Sequence, residues 1–434
     1  MKVDTYKVKP GLANIALLYI FGVSFTLYPP LAQYAQPFIA VSFTAIFLVV
    51  LVNIFLLNRP ILNSILFKIT IMFTLIYIGW LLVATLHENN MAFALQDSLG
   101  FAIYLFVMPV FFIFICFCRL HQHLVNFLIQ LCAFISVISV AIVLWYYTSF
   151  GSVESESLGQ LNLYVKLLGL NWIIDHNGGF LGLYTYTAHF LLLGIGLSFY
   201  NYYITHEKKH IYFMLLFGFG VFADGHRALV VSMFLLILFL LPLIKARVSF
   251  KRMAFYLCLV VIPLFFTLVI NFEWLQDRFN FTTSDASTLE RFLQVPALLD
   301  KITENPLFGS GFGSFASIIR STERPFSYEV DFLATIMKLG IVGSVLYFGT
   351  YLYMIDAARR LGGDIGYILF CVGISFLFYM GTNGGLAMSS DSAIFHMILF
   401  VLISLSLSQK YECNLVKKPL HNKLSTLKYG GCFK

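Results

Sequence analysis

Apolar runs of about 20 residues, nearly free of charge, recur along the whole chain, and they leave it few ways to fold. A run of that length crosses a hydrocarbon core of about 30 Å as a helix. In lipid every backbone N–H and C=O must be satisfied internally, so only helices or closed barrels can span. The alternating ten-residue pattern of a barrel is absent. Composition agrees: 59% of the 434 residues are hydrophobic and 11% charged, against roughly 45–50% and 25% in an average soluble domain. The expected fold is all-α, a polytopic integral membrane protein with a single transmembrane domain over residues 1–434.

Twelve spans are expected, near 11–28, 36–57, 65–86, 100–118, 124–147, 179–203, 210–223, 228–244, 253–271, 332–355, 365–381 and 393–408. Basic residues beside spans set orientation. With both termini in the cytoplasm, Lys2, Lys7, Lys9, Arg59, Lys68, Arg119, Lys208, Lys209, Lys245, Arg247, Lys251, Arg252, Arg359, Arg360 and the six lysines after 409 all fall inside. That is 20 of the 28 basic residues, so the formal charge of +7 reflects topology and not nucleic-acid binding. The sequence after 409 reads as a basic cytoplasmic tail, 409–434, free to touch anionic lipid. The first span follows a charged segment and lacks a small-residue cleavage site, which reads as a retained helix.

Of the seven cysteines, Cys116, Cys118, Cys132, Cys258 and Cys371 lie in spans and Cys413 and Cys432 in the tail. None falls in an outer loop, which implies no disulfide framework. Cys116-Phe-Cys118 lacks the partner ligands of a zinc site. No metal and no cofactor is expected.

One large outer loop, 272–331 between spans nine and ten, interrupts the pattern, with nine acidic and five basic residues. Long loops of this kind are often functional. Ser287 and Glu290 have capping-box spacing, and Leu289, Phe292, Leu299 and Ile302 recur at helical intervals. An amphipathic helix across the outer face is expected, bent at Pro296 and ended by Asn305-Pro306. The glycines of Gly309-Ser-Gly311-Phe-Gly313 match neither nucleotide fingerprint and read as a tight turn.

Charged residues on the outer side need a reason. Arg227, in the turn Asp224-Gly-His226-Arg227 that opens span eight, suits an anion clamp, because guanidinium meets phosphate in a bidentate fork. Helix N-terminal amides favour the same charge. Arg291, Arg320 and Arg324 add positive charge on the large loop, with Arg278, and His226 stands beside Arg227. Glu329 and Asp331 precede span ten; at i and i+2 they do not share a helix face, and either is a candidate general base. Lys338, two turns into span ten, reads equally as a site residue or as half of a structural pair, while His189 and His396 read as neutral, hydrogen-bonded residues within spans.

Glu290-Arg291-Phe-Leu, Asn305-Pro306-Leu-Phe-Gly309-Ser-Gly311-Phe-Gly313, Phe332-Leu and Lys338-Leu-Gly340-Ile-Val-Gly343 together resemble the signature region of the O-antigen polymerase and ligase superfamily. Asp224-Gly-His-Arg227-Ala-Leu resembles that family's arginine turn, and Gly178-Gly-Phe-Leu-Gly182 to His189 its entry into span six. The resemblance implies a metal-independent glycosyltransferase acting on undecaprenyl-diphosphate-linked glycans in lipopolysaccharide or related polysaccharide biosynthesis. It also implies residence in a bacterial inner membrane, with the active site on the periplasmic side. It gives Arg227 and Arg291 to the diphosphate; Glu329 is the expected catalytic base, and Arg320, Arg324, Asp331, Lys338 and His226, from their charge and place, are expected to bind substrate. The ligase branch carries histidine followed by a small polar residue where this chain has Glu329 and Val330, which favours the polymerase branch, with a chain-length regulator protein as a further partner. A ligase that moves glycan to lipid A core, or a lipid-linked oligosaccharide flippase, is the alternative.

Overall fold

The computed structural model describes residues 11–26, 32–57, 64–150, 173–177, 180–184, 188–224, 226–247, 286–319, 322, 324–328, 330–361, 363–382 and 390–417. Helices dominate them: α1 Leu12–Thr26, α2 Ala32–Leu57, α3 Ser64–Leu86, α4 Met91–Asp97, α5 Leu99–Ala102, α6 Met108–Phe117 and α7 His121–Phe150 come first. There follow α8 Phe190–Thr205, α9 Lys209–Asp224, α10 Arg227–Arg247, α11 Ala286–Glu304, α12 Asp331–Leu361, α13 Gly363–Thr382 and α14 Ser390–Lys417. Hydroxyls in the apolar helices turn back onto carbonyls one turn earlier, as Thr70 does to Leu66 at 3.0 Å and Thr74 to Thr70 at 2.7 Å, so they cost little in lipid.

Among the described residues, five helices are long and apolar enough to cross a membrane: Ile65–Leu86, Leu99–Phe117, His121–Ser149, Asp331–Leu361 and Gly363–Met380. Shorter apolar helices cover Leu12–Ser24, Gln36–Val52, Phe190–Thr205, Ala228–Leu243 and Ala393–Leu407. The protein is a helical membrane protein. The expected ninth span, 253–271, lies outside the described residues.

Two stretches form the centre. Residues 190–199 of α8 and 393–405 of α14 are buried on every side, the signature of helices surrounded by other helices. Small residues allow close approach: a Cβ at Gly194 would strike the Cys132 side chain, and one at Gly220 that of Ser136, so α8 and α9 pack closely on α7 at these positions.

Local corrections to the sequence reading follow from chain chemistry. The fold is not purely helical, because Ile173–Asn177 and Phe180–Tyr184 pair as an antiparallel hairpin, β1 and β2. Asn177 stands opposite Phe180, and the two intervening residues are both glycine, the composition that two-residue hairpin connections favour. Span six therefore starts at Phe190 and not at 179. Span four is interrupted by a π-helical turn over Ile103–Val107, closed by the Met108 N–H on the Ile103 carbonyl. Pro109 has no N–H to offer Leu105, which weakens the α ladder at that point. The last helix runs to Lys417 and does not stop near 408, so the basic tail starts as helix.

Candidate active site

The loop helix α11 ends at Glu304, as Asn305-Pro306 requires, and the chain then enters a glycine-rich strap. Gly309, Gly311 and Gly313 take φ values of 70°, 80° and 75° in it, and Gly340, in the break of α12, takes 62°. The strap is more than a tight turn, because its backbone docks into that break. Ser310 N–H donates to the Met337 carbonyl and Gly311 N–H to Lys338, both at 2.9 Å. In return Ile341 N–H donates to Pro306 at 2.9 Å and Val342 N–H to Leu307 at 3.0 Å. A Cβ at Gly309 would run into the Lys338 carbonyl and the Gly340 amide, so this crossing admits only glycine.

Other helices tie down the strap's far side. Trp80 Nε1 of α3 donates to the Phe308 carbonyl at 2.8 Å, and Asn89 Nδ2 bonds to the carbonyls of Ser310 at 2.7 Å and Phe312 at 3.0 Å. Asp97, at the end of α4, receives Gly313 N–H on Oδ2 at 2.8 Å and Lys338 Nζ on Oδ1 at 2.7 Å. Both side chains are buried, so each satisfies a charge the other would leave exposed to apolar surroundings. Burial pushes the Asp97 carboxyl above its usual range, while the Lys338 charge and hydrogen bond and the Gly313 N–H pull it back. The ammonium also lies 5.5 Å from the Phe326 ring centroid.

Beyond the strap, the Tyr328 hydroxyl accepts the Ala316 N–H at 2.6 Å. Tyr328 joins Ala297 and Leu298 of α11 and Ala334 and Met337 of α12 in a small apolar cluster under the loop. Burial raises the Tyr328 hydroxyl above its ordinary pKa.

A chain of ring contacts links the strap to the turn between α9 and α10. Phe312 meets Phe101 at 5.4 Å, and Phe101 meets Tyr104 of the π turn at 6.2 Å. The Tyr104 hydroxyl and His396 Nδ1 share a hydrogen bond of 2.7 Å. His396 meets Phe376 at 5.2 Å, and Phe376 meets His189 at 5.5 Å. His189 and His226 both meet Tyr379 at 6.3 Å. His226 Nδ1 is ion-paired with the fully buried carboxylate of Asp224, two residues before it. The arginine turn and the strap are therefore two ends of one polar and aromatic layer.

The expected site residues fall into three groups. Lys338 is held by Asp97, and His226 by Asp224. Asp331 opens α12, Arg291 is half-buried on α11 with the fully buried Gln294, and Arg324 is exposed in the loop before α12. Arg227 opens α10, but its side chain, like all of Glu329 and Arg320, lies outside the described part of the molecule. Among the described residues no three of His, Cys, Asp and Glu gather as a metal ion would require.

Sequence reasoning missed Asp97, Asn89 and Trp80 as strap partners. The one available signal was an acid directly before an apolar span in a chain with only 21 acidic residues.

Residues 212–348 match a family model described as O-antigen ligase. The matched stretch contains the arginine turn, α11, the strap and the broken start of α12. This supports the O-antigen polymerase and ligase superfamily, whose members are glycosyltransferase-like enzymes, without separating its two branches. No curated protein matches the chain.

Proposed function

We propose that the protein joins undecaprenyl-diphosphate-linked oligosaccharide repeat units into O-antigen or a related surface polysaccharide at the outer face of the bacterial inner membrane. The observation that carries this reading is the family match over 212–348, because it spans the arginine turn, α11, the strap and the broken start of α12. Arg227 and Arg291 hold the diphosphate of the growing chain, with His226, fixed by Asp224, beside the first of them. A sugar hydroxyl of the incoming unit attacks the anomeric carbon, Glu329 takes the hydroxyl proton, and the bond from that carbon to the diphosphate oxygen breaks. One displacement with one base inverts the anomeric carbon and leaves no covalent intermediate. Stabilising the leaving diphosphate with arginines is the transition-state contribution, and tethering both reactants in one membrane removes association entropy.

Lys338 has a different part in this scheme. Its buried pairing with Asp97 gives it to holding the strap against α12. Arg320, Arg324 and Asp331 are left to contact the sugars, and a chain-length regulator is the expected protein partner.

A second reading is favoured by the matching family's description as O-antigen ligase: transfer of finished glycan to lipid A core. The deciding experiment is a surface-polysaccharide gel of a deletion strain complemented with wild type or with Glu329→Gln. A core bearing a single repeat, with the ladder restored by wild type and not by the variant, supports the polymerase with Glu329 as base. Bare core with polymerised glycan left on the carrier lipid means ligase, and bare core without it means flippase. Full activity of the variant moves the base to Asp331.

A further inference from the structure

The loop helix α11 buries Ala297 and Leu298 yet turns an apolar stripe outward along its length. Leu289, Phe292, Leu293 and Leu299 fall on one stripe and are 43%, 59%, 50% and 46% exposed. The opposite stripe carries Glu290, Arg291 and Gln294 towards the protein, with Gln294 fully buried and its amide reaching Glu290 at 3.3 Å. A helix that meets water would turn the other way, apolar side inward.

The exposed stripe does not stand alone. Where α11 ends, the strap presents Leu307 and Phe308, 58% and 57% exposed, and its hydrogen bonds place it against Ile341 and Val342 of α12. Ile341 and Val345, 53% and 65% exposed, continue the same apolar surface down a helix long and apolar enough to cross a membrane. Apolar surface on this scale marks an interaction site when it is continuous. Here it is continuous with the face that a spanning helix turns to lipid.

We propose that α11 lies in the outer leaflet as an interfacial helix, with Phe292, Leu293 and Leu299 among the acyl chains and Arg291 behind them at headgroup depth. The occupant of the stripe is bilayer lipid, not water and not another protein. The loop is then part of the membrane surface, and a lipid-linked anion reaches Arg291 from the side. This placement does not depend on which glycan reaction the protein performs.

The test is photocrosslinking in native membranes with p-benzoylphenylalanine at Phe292 and, in a second variant, at Leu299, followed by mass spectrometry of the intact chain. Val345 serves as the calibrating position on the spanning helix. The expected result is a mass increase of one phospholipid at Phe292 or Leu299, as at Val345. Crosslinks to the chain itself, to a second copy or to another protein, or the lack of any lipid adduct at both loop positions, would overturn the proposal.

Discussion

At the scale of single residues, the buried pair of Asp97 and Lys338 makes the strongest demand on the fold. Both charges lie out of water, and each is the other's main compensation, with Gly313 N–H supplying the rest. Lys338→Met leaves a carboxylate buried without its cation and is expected to cost about 3–5 kcal/mol, read as a lowered melting temperature in detergent. The double variant D97N/K338M removes both charges, and the amide oxygen still accepts from Gly313; it is expected to regain more than half of the loss. A double variant as unstable as Lys338→Met alone would mean that the strap needs the charge pair itself. Arg227→Lys keeps the charge of the proposed diphosphate clamp but loses the planar fork. Its polymer yield at equal protein level is expected to fall at least about tenfold, about 1.4 kcal/mol, and unchanged yield would remove bidentate recognition from the mechanism.

At the scale of elements, the strap works because four glycines take backbone angles that other residues rarely adopt. Gly309 and Gly340 meet face to face, so Gly309→Ala or Gly340→Ala adds a strained φ and a steric collision at once. Either is expected to abolish the monodisperse peak in size-exclusion chromatography. Gly349, on the same helix α12 as Gly340, has open space where its Cβ would go, and Gly349→Ala is expected to be neutral or to gain about 0.5–1 kcal/mol from lower chain entropy. Equal behaviour of the three variants would show that the crossing is not the constraint.

At the scale of the whole molecule, the charge distribution predicts the large loop outside and both termini inside. Ser327, exposed in the loop between the strap and α12, offers a check: Ser327→Cys is expected to react above the wild-type background with a membrane-impermeant thiol reagent added to intact spheroplasts. Labelling only after the membrane is opened would reverse the orientation. The elements themselves were largely readable. Apolar length located the helices from 65 to 147 and from 332 to 381, and Asn305-Pro306 marked the end of α11. The hairpin before α8 and the π turn at Tyr104 were not readable from hydropathy, because a Gly-Gly connection and a single proline change local geometry without changing how apolar the segment is. For the site, Arg291, His226 and Asp331 were legible as charged residues on apolar borders, whereas nothing local revealed that Lys338 answers to Asp97, 241 positions away.

Length and apolar composition determined by themselves that this chain becomes a helical membrane protein, since that property depends only on the transfer of each segment into lipid. Tertiary structure alone decided that the glycine strap threads the break of α12, that Lys338 pairs with Asp97, and that α11 leaves Leu289, Phe292, Leu293 and Leu299 exposed. Those outcomes depend on which distant surfaces meet, and hydropathy and spacing do not record a partner.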